Sequence, residues 1–435
     1  MTEKKKFHSV RGVRDILPPD SSLWNWFEQA ARDTLETYNF REIRLPIFED
    51  TELFARSVGA ETDIVSKEMY TFQDQPADLE SANEMGRGKA VSLRPEATAS
   101  VVRAYIEHGM QTLPGLVKLY YLGPMFRRER PQKGRYRQFY QIGAEVLGQS
   151  DHPAIDAEMI EMLIVLLGRC KIESWTLLVN SIGDANCRPA YVALLREELR
   201  KVKNQLGADS QRRIDTNPLR VLDSKLAEEQ AIVASLPKIA DHLCDDCRNH
   251  FAELRRQLDL RSIPYTVDPR LVRGLDYYTR TTFEITSPHL GAQNALAGGG
   301  RYDGLSEMLG GPPAKCIGFA LGEDRFIEVI QAAGSLDRAT AGRPLDAFIV
   351  WLGAAAYPAA VRLARRLRQE GFRVEIPAEE SKLKKALSLA ERLGARFAII
   401  VGDQEVAAGA YAVKRLADGE QRKLAESDVA GFLRG

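Results

Sequence analysis

The chain has 435 residues and a mass of 48.6 kDa, enough for two or three domains. Sixty Lys and Arg balance sixty Asp and Glu, which excludes both a broadly polybasic nucleic-acid coat and an acidic disordered chain. Five Cys in this length exclude a disulfide framework and point to a reduced, cytoplasmic setting.

Residues 1–10 (MTEKKKFHSV) are charged and lack an apolar stretch, so no secretory signal is expected. The longest apolar run, 162–167, is too short to span a bilayer, so no membrane association is expected either. After Pro18-Pro19, the residues Leu23, Phe27, Ala31, Leu35 and Tyr38 recur at spacings of four and three, the period of an amphipathic helix. Asp20, Ser21 and Ser22 are offered as its N-cap. From 43 to about 145, β-rich stretches alternate with turns. The runs 116–122 (LVKLYYL) and 137–146 flank a basic loop and predict an antiparallel hairpin with a long tip.

The pattern then predicts a helix over 156–167 and a strand over 174–179. Residues 183–262 are helical and charged, as an inserted subdomain would be. Strand signals return at 265–267 and 281–286, then the glycines 298–300, then a buried strand at 316–321 leading into a helix over 323–333. Residues 333–344 are rich in small residues, Gly and Pro, and read as a linker. Beyond it, the apolar runs 347–352 (AFIVWL), 372–376 and 397–401 (FAIIV) alternate with helical segments 358–369 and 381–393. Asp418-Gly419 then sits between 411–416 and 421–424 as a closing hairpin. This alternation predicts a small α/β domain with a helix-covered sheet.

Residues 127–137 (RRERPQKGRYR) carry six cations against one acid, with Pro131 and Gly134 making a turn. Guanidinium forks match phosphate oxygens, so the loop suits a nucleotide or a nucleic-acid backbone. The interleaved Phe126, Tyr136 and Phe139 argue against a merely solvated tip. Three polar clusters lie among apolar residues: Glu96 and Thr98 in LRPEATAS, Arg273 and Asp276 in VRGLDYY, and Arg301, Tyr302 and Asp303 after the triple glycine. Glycine runs allow close approach of a ligand or another strand; the competing explanation is loops held by local ion pairs. Residues 362–396 hold ten cations against five acids, which suits either an RNA-facing or a solvated basic face. Cys244 and Cys247 with nearby His242 and His250 suggest zinc. Against that, there is no second CxxC, and Cys247 falls on a helical apolar stripe running from Leu236 to Leu258, so no metal is expected.

Together these segments closely resemble the histidyl-tRNA synthetase family of class II aminoacyl-tRNA synthetases. The start resembles RG(x)₂D at Arg11-Gly12-Val13-Arg14-Asp15; motif 1 resembles 41–59 with Pro46; motif 2 resembles 126–145 with its core Phe126-Arg127-Arg128-Glu129. The histidine-specific blocks match LVRGLDYY (271–278) and GGRYDGL (299–305), and motif 3 resembles 318–325 (GFALGEDR). The resemblance covers essentially the whole chain. It implies an antiparallel β-sheet catalytic core flanked by helices, over 1–182 and 263–334, interrupted by a helical insertion at 183–262. A linker at 335–343 would lead to an α/β anticodon-binding domain at 344–435.

The resemblance further implies ATP-dependent activation of L-histidine and transfer to tRNA(His), with Mg²⁺ on the β- and γ-phosphates, in a cytoplasmic homodimer. By motif position, Arg127 and Arg273 grip the α-phosphate, Phe139 and Arg325 sandwich adenine, Glu129 lies near its amino group, and Arg135 meets the distal phosphates. Glu96, Thr98 and Gln141 take the histidine ammonium, Glu145 and Tyr278 the two imidazole nitrogens, and Tyr302 lines the pocket. The rival is a non-catalytic paralogue that regulates histidine biosynthesis through a phosphoribosyltransferase. Such paralogues usually lack the anticodon domain and some of the catalytic arginines, whereas Arg127, Arg273 and Arg325 are all present here. A generic ATP-dependent RNA-binding protein leaves the histidine-specific blocks unexplained.

Overall fold

A computed structural model of the chain describes residues 6–59, 62–73, 90–132, 134–224, 226–291, 294–334 and 344–435. The expected linker 335–343 lies outside the described residues. The chain divides into two compact units, Met1–Leu336 and Asp337–Gly435.

The first unit is built on strands β1 (Arg41–Glu42), β2 (Phe48–Asp50), β3 (Thr71–Gln73), β4 (Ala90–Leu93), β5 (Val117–Phe126) and β6 (Gln138–Gly148). It continues with β7 (Thr176–Ser181), β8 (Thr266–Val267), β9 (Thr279–Thr286), β10 (Ala295–Arg301) and β11 (Lys315–Gly322). Eight of these form one sheet in the order β1-β5-β6-β11-β10-β9-β7-β8, antiparallel except at its two outer pairs. The expected hairpin is β5–β6, in register from Val117 opposite Leu147 to Phe126 opposite Gln138. It places the basic loop at the open end of the central strands.

Burial explains the strand order. On one face Ile142, Ala144, Ile317, Phe319, Phe283 and Ile285 pack against the helices Asp20–Thr37, Pro153–Arg169 and Glu323–Ala333. The other face carries the polar side chains. The triple glycine is central strand, not loop: a Cβ on Gly299 would lie 2.2 Å from the Gly318 carbonyl, and one on Gly300 would lie 2.4 Å from that of Thr281. Only glycine lets the three strands close up there.

Several local expectations are corrected. The first helix begins at Asp20, so the three residues expected to cap it lie inside it and no side chain caps it; the Ser21 and Ser22 amides donate to the carbonyls of Leu17 and Pro19 instead. Two helices, Thr51–Val58 and Thr98–Glu107, interrupt the stretch expected to be β-rich. Each is nucleated by an acid before it. The Asp50 side chain accepts the Glu52 amide, and Glu96 accepts the amides of Thr98 and Ala99 at 2.7 and 3.0 Å. The apolar stripe from 236 to 258 is not one helix: a short 3-10 turn Ile239–His242 precedes the α-helix Asp245–Leu260.

The insertion is not walled off. Tyr191, Leu195 and Leu199 of the helix Arg188–Lys201 share a core with Val101, Tyr105, Tyr277 and Tyr302. Phe251, Leu254 and Leu258 pack with the helix Pro153–Arg169.

Arg301 and Asp303, offered as candidate chemistry, are structural. Arg301 is fully buried and donates to both oxygens of Asp156, at 3.1 and 2.7 Å, and to Asp303 at 3.1 Å. Removing one partner of such a pair typically costs about 3–5 kcal/mol, because the remaining charge is left without water. The competing explanation, loops tied by ion pairs, therefore holds for this cluster except Tyr302.

The second unit has β12 (Ala347–Leu352), β13 (Val374–Glu375), β14 (Phe397–Gly402), β15 (Ala410–Arg415) and β16 (Gln421–Ala425) in the order β13-β12-β14-β15-β16. The continuous apolar run of β12 follows from burial on both faces. Ala347 and Ile349 pack with Leu363 and Leu367 of the helix Ala356–Gln369, while Phe348 and Val350 pack with Ala386 and Ala390 of Leu383–Arg392. Of the ten cations in 362–396, Arg366, Arg368 and Arg396 are engaged within this unit by Glu426, Val374 and Asp346. Lys382, Lys384 and Lys385 are exposed.

Candidate active site

A cavity of about 290 Å³ opens on the polar face of the large sheet, between the basic loop, β6, β10 and the 271–278 block. Eleven of the twelve expected site residues line it: Glu96, Thr98, Arg127, Glu129, Arg135, Phe139, Gln141, Arg273, Tyr278, Tyr302 and Arg325. They come from segments more than two hundred residues apart, brought together by strand pairing.

One end of the cavity is cationic. Arg127 donates from Nε to the Pro95 carbonyl at 2.9 Å, and its guanidinium lies 5.2 Å from the Phe139 ring centroid. Arg325 donates to the Ala295 carbonyl at 2.7 Å. Burial first, then the like charge of Arg135, pulls Arg325 below its ordinary value, so the cluster favours an anionic ligand. Arg273 lies across β10 on Gly298. A Cβ there would sit 2.4 Å from its Nη1, so glycine is what allows the arginine to lie flat. Its Nη1 donates to Glu284 at 3.0 Å, and although burial opposes the charge, Tyr278 and Glu284 hold Arg273 above its usual value.

Glu129 is engaged by Arg135 at 3.0 Å and faces Arg127 at 3.8 Å, so in this structure its partners are the loop's own arginines. The 11–15 motif holds that loop. The Arg137 amide donates to the Gly12 carbonyl at 2.8 Å, and Arg14 stacks on Tyr136 at 4.2 Å while pairing with Asp324 at 2.5 Å.

The other end is a nest of hydroxyls and carboxyls. Glu145, the twelfth residue, does not line the cavity but lies fully buried beneath it. Thr98 donates to its Oε1 at 2.7 Å and Tyr302 to its Oε2 at 2.5 Å. It lies directly on Gly318, whose hydrogen leaves the only room for it. Burial pushes the Glu145 carboxyl up to about 8, overcoming those two hydrogen bonds, and Glu96 adds its charge. Glu96 is likewise raised by burial, against the two amides it accepts. Burial thus raises both carboxyls of this end above the ordinary carboxylate range. Among the described residues, Gln141 Oε1 and the Tyr121 hydroxyl are buried without a partner.

Sequence reasoning missed Tyr121, Tyr277 and Glu284, all of which line the cavity. Tyr277 adjoins Tyr278 in a quoted block and packs tilted against Tyr278 at 4.8 Å and edge-on to Tyr302 at 5.6 Å, so that block held its signal. Tyr121 and Glu284 sit in ordinary alternating strands, where nothing local distinguishes them.

An antiparallel sheet carrying an arginine-lined anion site beside a carboxyl–hydroxyl pocket, with a separate α/β unit following, defines a class II aminoacyl-tRNA synthetase. Residues 12–325 match the family model described as histidyl-tRNA synthetase, and residues 346–435 match that of an anticodon binding domain. The chain belongs to the histidyl-tRNA synthetase family, a family of ATP-dependent ligases.

A histidine–tRNA ligase of Koribacter versatilis is 55% identical over 98% of this chain and 96% of its own length. One of Solibacter usitatus is 51% identical over 98% of each. The crystal structure of the apo histidyl-tRNA synthetase of S. aureus superposes with a TM-score of 0.80 at 37% identity, covering 99% of this chain and 100% of that one.

The closeness of Arg273 to β10 is directly testable. Gly298→Ala is expected to displace Arg273 and lower ATP–pyrophosphate exchange by about 100-fold, with circular dichroism and melting temperature little changed. Exchange at the wild-type rate would show that the position of Arg273 is not critical.

Proposed function

We propose that this chain is a histidine–tRNA ligase that performs its first step with the residues assembled in the large-sheet cavity. The observation that carries the reading is that an arginine cluster and the Glu96–Thr98–Tyr278–Tyr302 group share that one cavity. Histidine enters with its ammonium toward Glu96, Thr98 and Gln141 and its imidazole toward Tyr278, with Glu145 acting from below through Tyr302 and Thr98. A pocket built from such polar partners rejects apolar analogues by about 10⁴–10⁵, because its own groups would go unpaired.

ATP lies at the cationic end, with adenine between Phe139 and Arg325 and the distal phosphates toward Arg135. A histidine carboxylate oxygen attacks the α-phosphorus, the bond to the β-phosphate breaks, and pyrophosphate leaves. Arg127 and Arg273 hold the α-phosphate oxygens from two sides and stabilise the charge that builds there. The 3′-terminal ribose hydroxyl of tRNA(His) then takes the histidyl group and AMP leaves.

The carboxylates of Glu129 and Glu284, which line the same end of the cavity, suit Mg²⁺ and would hold it with water. Bound there, the ion supplies charge neutralisation at the β- and γ-phosphates. The second unit binds the anticodon stem, with its exposed lysines offering the phosphate contacts.

ATP–pyrophosphate exchange with each of the twenty amino acids tests the reading: exchange is expected with histidine alone. Arg273→Ala is expected to lower it about 10²–10³-fold while histidine affinity changes little. Absence of exchange, with histidine still bound in calorimetry, would mark a binding protein instead.

Glu145 sets a pH dependence. With its carboxyl near 8 in the free site, it is protonated at neutral pH, and a cationic ligand draws it to the ionised form. Histidine affinity should therefore rise with pH, by about eightfold between pH 7 and 8.5 for one group of that pKa. Glu145→Gln should flatten the profile in calorimetric titrations, and a pH-independent wild type would remove the coupling.

The working form is a cytoplasmic homodimer. The five free cysteines suit a reducing compartment. The three-stranded sheet β2-β4-β3 supports the dimer: Phe48 and Phe72, opposite Leu93 and Val91 on β4, share one face and are 57% and 48% exposed. Light scattering at micromolar concentration is expected to give twice the chain mass, and Phe48→Glu with Phe72→Glu to give monomer. A monomeric wild type would overturn this assignment.

A further inference from the structure

The Cys244/Cys247 pair was set aside in sequence for want of further ligands, but the fold supplies them. Cys244 caps the helix Asp245–Leu260 and Cys247 lies in its first turn. Asp184 and Cys187 stand in the turn between β7 and the helix Arg188–Lys201. One side-chain oxygen and three sulfurs from these four residues all lie within 4.8 Å of one another. Asp184 Oδ1 is 3.7 Å from Cys187 Sγ and 3.8 Å from Cys244 Sγ. In a tetrahedral zinc site with bonds of about 2.0–2.3 Å, neighbouring ligand atoms are about 3.5–3.8 Å apart. Two edges of that tetrahedron are already at length.

We infer that Asp184, Cys187, Cys244 and Cys247 form a structural zinc site at the neck of the helical insertion. The pattern is D-x₂-C followed by C-x₂-C, with residues 188–243 closed between the two halves. Four protein ligands leave no open position, which is the mark of a structural rather than a catalytic ion.

The surroundings fit the charge. Three thiolates and a carboxylate around a dication leave two negative charges, and two buried or half-buried arginines face them. Arg280 Nη2 lies 3.4 Å from Asp184 Oδ2, the oxygen turned away from the sulfurs, and Arg188 feels the charges of both Cys187 and Asp184. The N-terminus of the Asp245–Leu260 helix adds its positive pole. Cys187 and Cys247 are buried, while Asp184 and Cys244 are half-exposed and give the ion a way in.

Closing a long loop at its ends is where a metal clip restrains the unfolded chain most. The clip also reaches the site. Arg188, next to Cys187, donates to the Tyr278 carbonyl at 2.6 Å, so the neck supports the 271–278 block.

The test uses the full-length chain expressed with zinc and purified without chelator. Elemental analysis is expected to find about one zinc per chain, falling more than tenfold in the Cys244→Ser, Cys247→Ser double variant. Because that variant could misfold, a second measurement uses the wild-type sequence. Metal-free protein titrated with Co²⁺ is expected to give the intense visible bands of tetrahedral cobalt with a thiolate-to-cobalt charge-transfer band, saturating at one equivalent. Failure to bind Zn²⁺ or Co²⁺ stoichiometrically, a disulfide between Cys244 and Cys247, or zinc retained undiminished in the double variant would each overturn the assignment.

Discussion

Glu145 rests on Gly318 of the neighbouring strand, with Thr98 and Tyr302 closing over its two oxygens, and much of the catalytic face follows from that contact. A carboxyl can lie flat on a sheet only where the strand beneath has no side chain, and it can stay there without a counter-cation only if hydroxyls replace its water. The contact joins β6, β11, the helix Thr98–Glu107 and the turn after β10. Burial there pushes the carboxyl up to about 8, against the two hydrogen bonds it accepts. The same device recurs where Arg273 lies over Gly298, so glycines on two adjacent strands seat the two side chains on the cavity face.

The arginine end of the cavity is organised by incompletely balanced electrostatics. Glu129 and Glu284 accept from Arg135 and Arg273, which keeps the arginines oriented before substrate binds. Burial, and then the charge of Arg135, nonetheless disfavour the charge of Arg325. Under the function proposed above, such a cluster meets phosphate oxygens with little rearrangement as charge develops at phosphorus. The N-terminal segment and the insertion act as braces. Gly12 and Arg14 hold the C-terminal end of the basic loop at Arg137 and Tyr136, and Arg188 grips the carbonyl of Tyr278.

Much of the architecture was legible locally. The β5–β6 hairpin, the helix after motif 3 and the alternating second unit all showed in hydrophobic period and turn residues, because each is stabilised by contacts near in sequence. The helices Thr51–Val58 and Thr98–Glu107 were not: they lie in a stretch whose β-type residues dominate the pattern, and Glu96, which accepts the first amides of the second, reads as chemistry. Arg301 misled for the related reason that a buried ion pair and a substrate-binding arginine have the same composition.

By itself the sequence determined the β5–β6 hairpin, the alternating second unit and the family, because motif residues at fixed spacing survive as text even when their partners are distant. Only the tertiary structure decided which polar residues face the cavity and which are buried beneath it. It alone placed Glu145 below the floor, paired Arg301 with Asp156, and brought Asp184 and Cys187 to Cys244 and Cys247. The physical reason is that solvation and charge pairing depend on what lies within a few ångströms across strands, and strand order in a sheet of non-sequential neighbours is not written in any single stretch of chain.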